Sequence, residues 1–151
     1  SVFVGLCRSV GIPAREIFGI RVGQSRFSDQ MGSAKDGLAK ISGGQHCRAE
    51  FYLKGYGWIP VDPADVTKVR LGEKLSNDDS KLAHIREYLF GNWEMCWIAF
   101  NYGRDFVLTP EPAQSPLNNF GYPYAEVDGN TQNYYSPKEF SYDYTSLEIK
   151  D

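Results

Sequence analysis

Residues 43–63 read GGQHCRAEFYLKGYGWIPVDP, and this stretch decides the fold of the chain. From Gln45 to Leu53, apolar or small side chains alternate with polar or amphipathic ones, and the alternation resumes from Trp58 to Asp62. A period of two bounded by glycines is typical of β-strands. Glycines at positions 55 and 57 supply the backbone freedom that a tight connection needs. The stretch therefore predicts a β-hairpin.

The hydrophobic pattern also predicts the register of this hairpin. A slip of one residue would turn one apolar set to the opposite face, so Phe51 and Ile59 must share a face. A three-residue loop over residues 54–56 satisfies this condition. The same register makes His46 and Asp62 diagonal neighbours on the other face, about 7–8 Å apart at the backbone. We expect a hydrogen bond between these two side chains.

An imidazole paired with a carboxylate supplies two parts of a nucleophilic triad. The carboxylate accepts the proton of one ring nitrogen and leaves the other nitrogen free as a base. The third part is a cysteine or serine nucleophile. Both residues also have a purely structural interpretation: a lone histidine on a strand is usually structural, and Asp62-Pro63 is an ordinary strand-ending turn. The alternation by itself predicts a hairpin and no chemistry.

Composition restricts the class of protein. The chain has 151 residues, 42% hydrophobic and 23% charged, which is typical of one globular domain with a real core. The net charge of −3 without a basic stripe predicts no nucleic-acid partner. Apolar stretches such as residues 96–100 are too short to span a bilayer, so we expect no membrane partner. Three cysteines without metal-type spacing argue against a disulfide framework and favour a cytoplasmic location.

Element signals along the chain predict one α+β domain over residues 1–151 with a mostly antiparallel sheet. Val2, Phe3, Leu6 and Val10 follow helical spacing and Gly11 ends the pattern, which predicts the back half of a buried helix over residues 1–10. Because the chain starts inside this pattern without Met, we expect the first part of the domain to be absent. The later predicted elements are a strand at 15–22, a long loop at 23–42 with a helical turn near 34–40, a polar connection at 65–79, a helix at 80–90, a buried strand at 93–100, and further strands at 104–108, 123–127 and 140–149.

Three segments, in this order, resemble the transglutaminase-like superfamily of papain-type cysteine enzymes, specifically its bacterial members. Residues 6–15, LCRSVGIPAR, are similar to the end of the family's nucleophile helix and the turn after it. Residues 46–52 resemble its histidine strand, and residues 57–63 its aspartate strand. Residues 88–108 are also similar to the segment that comes after these strands in bacterial members. The resemblance implies a papain-like fold, with the family motifs in residues 1–65 and a helix and strands in residues 66–151.

The resemblance implies a Cys-His-Asp triad in which His46 is the general base and Asp62 orients it. In the family, the nucleophile precedes the Gly-Ile-Pro-Ala-Arg turn by a distance that places it a few residues before Ser1. The chain's own Cys7 lies in the last turn of the predicted helix, where the helix dipole disfavours a thiolate. We expect Cys7, Cys47 and Cys96 to be core thiols. These 151 residues alone are then expected to bind a substrate without turning it over.

The implied function is acyl transfer or hydrolysis at peptide or carboxamide bonds of a peptide or protein substrate, by a protease, amidase or transglutaminase activity. Arg48, which stands where members often carry an aromatic residue, and Trp58 are the candidate substrate contacts. The alternative is a non-catalytic binding or scaffold domain with the same fold. No cofactor is expected, and a metal site built from His46, His84 and the cysteines lacks supporting spacing. The oligomeric state stays open.

Overall fold

The computed structural model describes residues 1–114 and 116–149. It shows an α+β fold whose main sheet is antiparallel, as predicted. The helices and strands are α1 (Val2–Ser9), β1 (Ala14–Arg21), β2 (Leu38–Lys40), β3 (Gln45–Leu53), β4 (Gly57–Val61), α2 (Pro63–Gly72), α3 (Ser80–Tyr88), β5 (Trp97–Tyr102), β6 (Glu126–Val127), β7 (Asn130–Thr131) and β8 (Thr145–Leu147).

The main sheet has four strands in the order β4-β3-β1-β5. Strand β3 lies inside it, between β4 and β1, and every pair is antiparallel. Two smaller two-stranded sheets join β2 with β8 and β6 with β7. Gly19 of β1 is required by a close approach, because an added Cβ atom would lie 2.1 Å from the carbonyl oxygen of Ile98 and 2.5 Å from the Trp97 ring. The main sheet therefore fixes the strand that carries His46 from both sides.

Two apolar clusters hold the helices to this sheet. In the first, Val4 of α1 packs against Ala14, Ala49 and Val61, one residue from each of three strands. In the second, Met31 from the loop after β1 packs with side chains of α2 and α3 and the residue after α3, namely Val69, Ile85 and Leu89. The loop over residues 23–42 is thus anchored beneath the two later helices.

The apolar face of α1 differs from the predicted one. Val4, Phe3 and Cys7 face the sheet, whereas Val2, Leu6 and Val10 are exposed. Both sets follow helical spacing, so periodicity alone could not choose between them. The helix itself is confirmed, and Ser1 caps it by accepting the Val4 amide.

Helix α2 occupies part of the segment that was predicted as a polar connection. Asp62 is its N-cap, accepting a hydrogen bond from the Asp65 amide, and Pro63 is its first helical residue. Both are standard helix-start signals. Only Asp65 and Val69 of α2 are buried, so the helix has no apolar stripe. The prediction of a polar connection over residues 65–79 was wrong for residues 65–72.

Other boundaries also differ from the predictions. Residues 38–40 form β2 in place of the helical turn predicted near 34–40, and α3 ends at Tyr88 instead of 90. Strand β5 starts at Trp97 and is largely exposed rather than buried. The segment 104–108, predicted as a strand, forms one isolated β-bridge, between Phe106 and Leu117, instead of a strand. The strands predicted at 123–127 and 140–149 are reduced to β6 and β8.

Within the described residues, none of the helices has the length and apolar character needed to cross a bilayer.

Candidate active site

The β3–β4 hairpin has the predicted register. Phe51 faces Ile59, Ala49 faces Val61, and residues 54–56 form the connection. Asp62 follows directly after β4, which makes it a diagonal neighbour of His46. Nε2 of His46 and Oδ2 of Asp62 lie 2.7 Å apart, so the predicted hydrogen bond is confirmed.

The carboxylate of Asp62 is held at both oxygens. Oδ1 accepts the backbone amide of Asp65 at 3.1 Å, which caps α2, while Oδ2 contacts His46. The side chain is 1% exposed. The same residue therefore ends the hairpin, starts the helix and orients the imidazole, and its rotamer is fixed by the fold.

A second carboxylate lies beside the imidazole. Oδ2 of Asp65 is 3.5 Å from Nε2 of His46. Arg21 of β1 forms a bidentate ion pair with Asp65, at 2.8 and 2.5 Å, and also donates to the carbonyl of Met31. Sequence reasoning missed both residues. The available signal was the spacing of Asp62 and Asp65, since an acidic residue in the first turn follows many N-caps.

Arg48 lies inside the site rather than on its surface. Its Nε atom donates to Oδ2 of Asp62 at 3.1 Å, and Nη1 donates to the carbonyl of Glu94 at 2.7 Å. The side chain is 1% exposed. Contact between Arg48 and a substrate stays a prediction, and the burial of the guanidinium does not favour it.

Trp58 lies at the other end of the hairpin. It pairs with Tyr52, six residues along β3 from His46, which corresponds to about 20 Å of extended strand. Arg15 covers its ring, with the guanidinium carbon 4.1 Å from the ring centroid. A substrate contact of Trp58 also stays a prediction, one that only a long, extended substrate would satisfy.

Charge around Asp62 keeps its carboxyl ionised. Burial pushes the pKa of Asp62 upwards, but the hydrogen bond from His46 and the positive charges of His46 and Arg48 outweigh it, so the pKa lies below its ordinary value. Burial lowers the pKa of Arg48, while Asp62 and Asp65 act in the opposite direction. The site thus holds a carboxylate that accepts hydrogen bonds and does not donate them.

This arrangement selects one tautomer of His46. An ionised acceptor at Nε2 places the ring proton of the neutral imidazole on Nε2. Nδ1 then carries the free lone pair, and within residues 1–114 and 116–149 it makes no hydrogen bond. The geometry therefore provides a general base whose orientation is fixed by Asp62.

Side-chain atoms of His46, Asp62 and Asp65 lie within 4.8 Å of one another, close enough to share a metal ion. Arg48 and Arg21 already neutralise the two carboxylates. Cations bound to both carboxylates oppose the binding of a further cation, so the donor set fits an ion-pair network better than a metal centre. This cluster contains neither His84 nor a cysteine.

Within the described residues, none of the three cysteines makes a hydrogen bond to His46. Cys7 is half-buried in the last turn of α1, against the first apolar cluster. Cys47 points to the face of β3 opposite His46, as expected, but it is exposed, so its prediction as a core thiol was wrong. The reason is that Val4 covers the sheet at Ala49 and Val61, further along the hairpin.

Neither Cys47 nor Cys96 is in an activating environment. Desolvation raises the pKa of the Cys47 thiol despite nearby positive charge. Burial and the neighbouring Glu94 raise the pKa of Cys96 to about 11. Reactive cysteines have a lowered thiol pKa, so these two thiols are poor candidates for a nucleophile.

Comparison with known proteins relates part of the chain to one family. Residues 1–63, which include His46 and Asp62, match the family model of the transglutaminase-like superfamily. An uncharacterized protein of Haemophilus influenzae is 57% identical to this chain over 155 aligned positions, which cover 99% of the chain. The chain spans 42% of the length of that relative. No solved structure shows significant similarity to this chain.

Proposed function

We propose that this protein is a cysteine enzyme that transfers or hydrolyses acyl groups at peptide or carboxamide bonds, because residues 1–63 match the family model of the transglutaminase-like superfamily. His46 is its general base and Asp62 orients His46. The nucleophile is a cysteine supplied by a part of the protein outside these 151 residues. The observation that carries the proposal is the 2.7 Å contact between Nε2 of His46 and Oδ2 of Asp62, which leaves Nδ1 available as a base.

The reaction follows from this pair of residues. Nδ1 of His46 accepts the thiol proton as the sulfur attacks the carbonyl carbon, forming a carbon–sulfur bond and a tetrahedral intermediate. The carbon–nitrogen bond then breaks, and the proton on His46 passes to the leaving amine or ammonia. A thioester remains. Water or a second amine attacks it with His46 again accepting a proton, which returns the free thiol and gives hydrolysis or transamidation respectively.

The structure also contains a groove with a volume of about 530 Å³ that includes Gln45, the residue before His46. Because side chains alternate along β3, Gln45 and this groove lie on the face opposite the His46 side chain. Tyrosine rings form much of its wall, at positions 122, 134, 135 and 142. Gln45 fixes the groove to β3 by donating to the carbonyl of Gly121 at 3.0 Å. Aromatic walls with hydroxyl groups suit an extended peptide, but His46 does not line this groove, so the groove does not support the choice of substrate at His46.

The test uses a longer form of the protein that includes the residues before Ser1. Hydrolysis and transamidation of glutamine-containing peptides are measured for the wild type, His46→Ala and Asp62→Asn. We expect kcat/KM to fall about ten-thousand-fold in both variants, since triad members act as a unit. His84→Ala is the matched control, because His84 lies on α3 against Phe27, and its activity should equal that of the wild type.

The competing proposal, a non-catalytic binding or scaffold domain, predicts a different outcome. In that case the longer protein forms no thioester with any peptide tested, and His46→Ala behaves like His84→Ala. Trapping the acyl-enzyme by acid quench, followed by intact-protein mass spectrometry, distinguishes the two proposals.

A further inference from the structure

Arg48 is a buried arginine beside the carboxylate of Asp62, and its environment gives it a physical meaning. The guanidinium carbon lies 4.7 Å from the Trp97 ring centroid and 6.0 Å from that of Trp93. The two indoles pack edge to face, with their centroids 5.6 Å apart. Arg48 is therefore held by two aromatic rings while its Nε atom contacts Asp62.

The same two tryptophans also hold the backbone of the site. Nε1 of Trp97 donates to the carbonyl of His46 at 3.0 Å, and Nε1 of Trp93 donates to the carbonyl of Val61 at 3.2 Å. Glu94, between them in sequence, accepts from Nη1 of Arg48 through its carbonyl. The segment 93–97 thus binds the residue that carries the imidazole, the residue before the carboxylate, and the arginine that contacts the carboxylate.

Arg48 is not needed to satisfy the hydrogen bonds of Asp62. Without it, Oδ2 would still contact His46, and Oδ1 would still accept the Asp65 amide. Within the described residues, Nη2 of Arg48 is buried and has no hydrogen-bond partner. A buried cation with an unpaired donor carries a desolvation cost that an apolar side chain would avoid. Stability alone therefore does not explain an arginine at this position.

We propose that Arg48, fixed against Trp93 and Trp97, is a positioning residue that holds Asp62 ionised and oriented toward His46. This inference rests on the proposed function for its meaning in catalysis, but its effect on Asp62 is measurable without catalysis. The planar guanidinium fixes Oδ2 from one side while His46 approaches the same oxygen from another. Its positive charge opposes protonation of the carboxylate.

The groups that act on Asp62 come from three elements. His46 and Arg48 lie on β3, and Asp65 lies on α2 with Arg21 of β1 paired to it. Two thiols are close enough to interact with the site by charge, Cys47 with Asp62 and Cys96 with Arg48. Apart from His46, Arg48 is the positively charged group among these that contacts Asp62 directly. Its removal should therefore raise the pKa of Asp62.

The experiment follows the side-chain carboxyl carbon of Asp62 by NMR as the pH is lowered, in these 151 residues. We expect Arg48→Met to raise the pKa of Asp62 by about one unit or more, since loss of an opposite charge within 4–6 Å has effects of this size. Arg15→Met is the matched control. Arg15 also bonds a carboxylate, Glu50 at 2.6 Å, and stacks on aromatic rings, but it does not touch Asp62. It should leave the Asp62 titration unchanged.

Two further measurements keep the test decisive if Arg48→Met does not fold. Arg48→Lys retains the charge and should shift Asp62 less than the methionine variant. In the wild type, the Nε–H proton resonance of Arg48 should move with the same midpoint as the Asp62 carboxyl carbon. The proposal is overturned if the pKa of Asp62 is the same in Arg48→Met and Arg15→Met. It is also overturned if the chemical shift of the Arg48 Nε–H proton does not change as Asp62 ionises.

Activity in the longer protein separates this inference from the proposed function. If both hold, Arg48→Met shifts the acid limb of the pH–rate profile and lowers kcat more than it raises KM. If Asp62 responds to Arg48 as expected but no thioester forms with any peptide, the positioning role stands and the enzyme proposal fails.

Discussion

At the centre of β3, residues 48–50, both faces are buried, but the side chains on the two faces differ in chemistry. On one face, Ala49 packs with Val4 and Val61 in an apolar cluster. On the other, Arg48 is buried with Asp62, and this pair is continuous with His46. Burial of apolar groups stabilises the fold directly, whereas burial of an ion pair contributes little net stability and is strongly destabilising when one partner is lost. The apolar face therefore stabilises the fold, and the proposed function gives a role to the buried charges of the polar face.

Removal of one ion from the polar face should have the largest effect on folding. Asp62→Ala leaves Arg48 buried without its carboxylate and removes the N-cap of α2. We expect the free energy of unfolding to fall by about 3–5 kcal/mol, as measured by urea denaturation at pH 7. Asp62→Asn removes the same charge but keeps the shape of the side chain and an oxygen that can cap α2. If its loss of stability is far smaller than that of Asp62→Ala, the buried charge is not the cause.

Gly19→Ala tests how tightly the polar face is packed. The added Cβ would meet the Trp97 ring, which also stacks on Arg48 and binds the carbonyl of His46. We expect a destabilisation of about 1–3 kcal/mol from overpacking, with a changed chemical environment of the Trp97 indole N–H in NMR spectra. Gly43→Ala serves as the control, because nothing lies within 4 Å of a Cβ at that position. An unchanged indole resonance in Gly19→Ala would contradict this prediction, because it would show that the added Cβ does not displace the Trp97 ring.

Val61→Ala is the corresponding change on the apolar face. Val61 is 2% exposed within the first cluster. Its truncation should cost about 2 kcal/mol through lost burial and a small cavity. Because no charge is altered, we expect this loss to be the same at pH 4 and pH 7 in denaturation experiments. A strongly pH-dependent loss would mean that the two faces are not independent.

Asp62→Asn should show the opposite behaviour with pH. The pKa of Asp62 is lowered in the folded protein, so its ionisation stabilises the fold above the ordinary aspartate value of about 3.9. That contribution is lost as the pH falls through the folded-state pKa. The difference in unfolding free energy between the wild type and Asp62→Asn should therefore be constant above about pH 5 and shrink below about pH 4. A difference that grows on acidification would contradict the direction of the shift.

The two faces of β3 also show which features of the site could be predicted from the sequence. Alternation around Phe51 and Ile59 determined the register, and the register brought His46 and Asp62 together. Asp65 and Arg21 were missed because α2 was predicted as a polar connection, although Asp62-Pro63 is as good a helix start as a strand end. A local pattern states which residues share a face. It does not state which of two apolar stripes a helix buries, or which end of a sheet stays uncovered.

The later part of the chain was predicted less well for a related reason. Residues 103–149 are rich in aromatic rings. The described residues of this range, 103–114 and 116–149, form only short strands, such as β6, β7 and β8. Many of their rings contact each other, as Tyr122 and Tyr134 do at 4.7 Å between centroids. Aromatic enrichment favours strands only when the side chains pack against a sheet. Here ring-to-ring contacts replace sheet pairing, and composition does not distinguish the two.

The most direct test of the central claim is iodoacetamide alkylation of the longer protein at neutral pH, with the modified cysteine identified by peptide mass spectrometry. The account predicts one fast-reacting cysteine outside these 151 residues, which becomes slow in His46→Ala and stays fast in His84→Ala. Cys7, Cys47 and Cys96 should react slowly in every form. Fast, His46-dependent modification of one of these three cysteines, or no fast-reacting cysteine at all, would contradict the account.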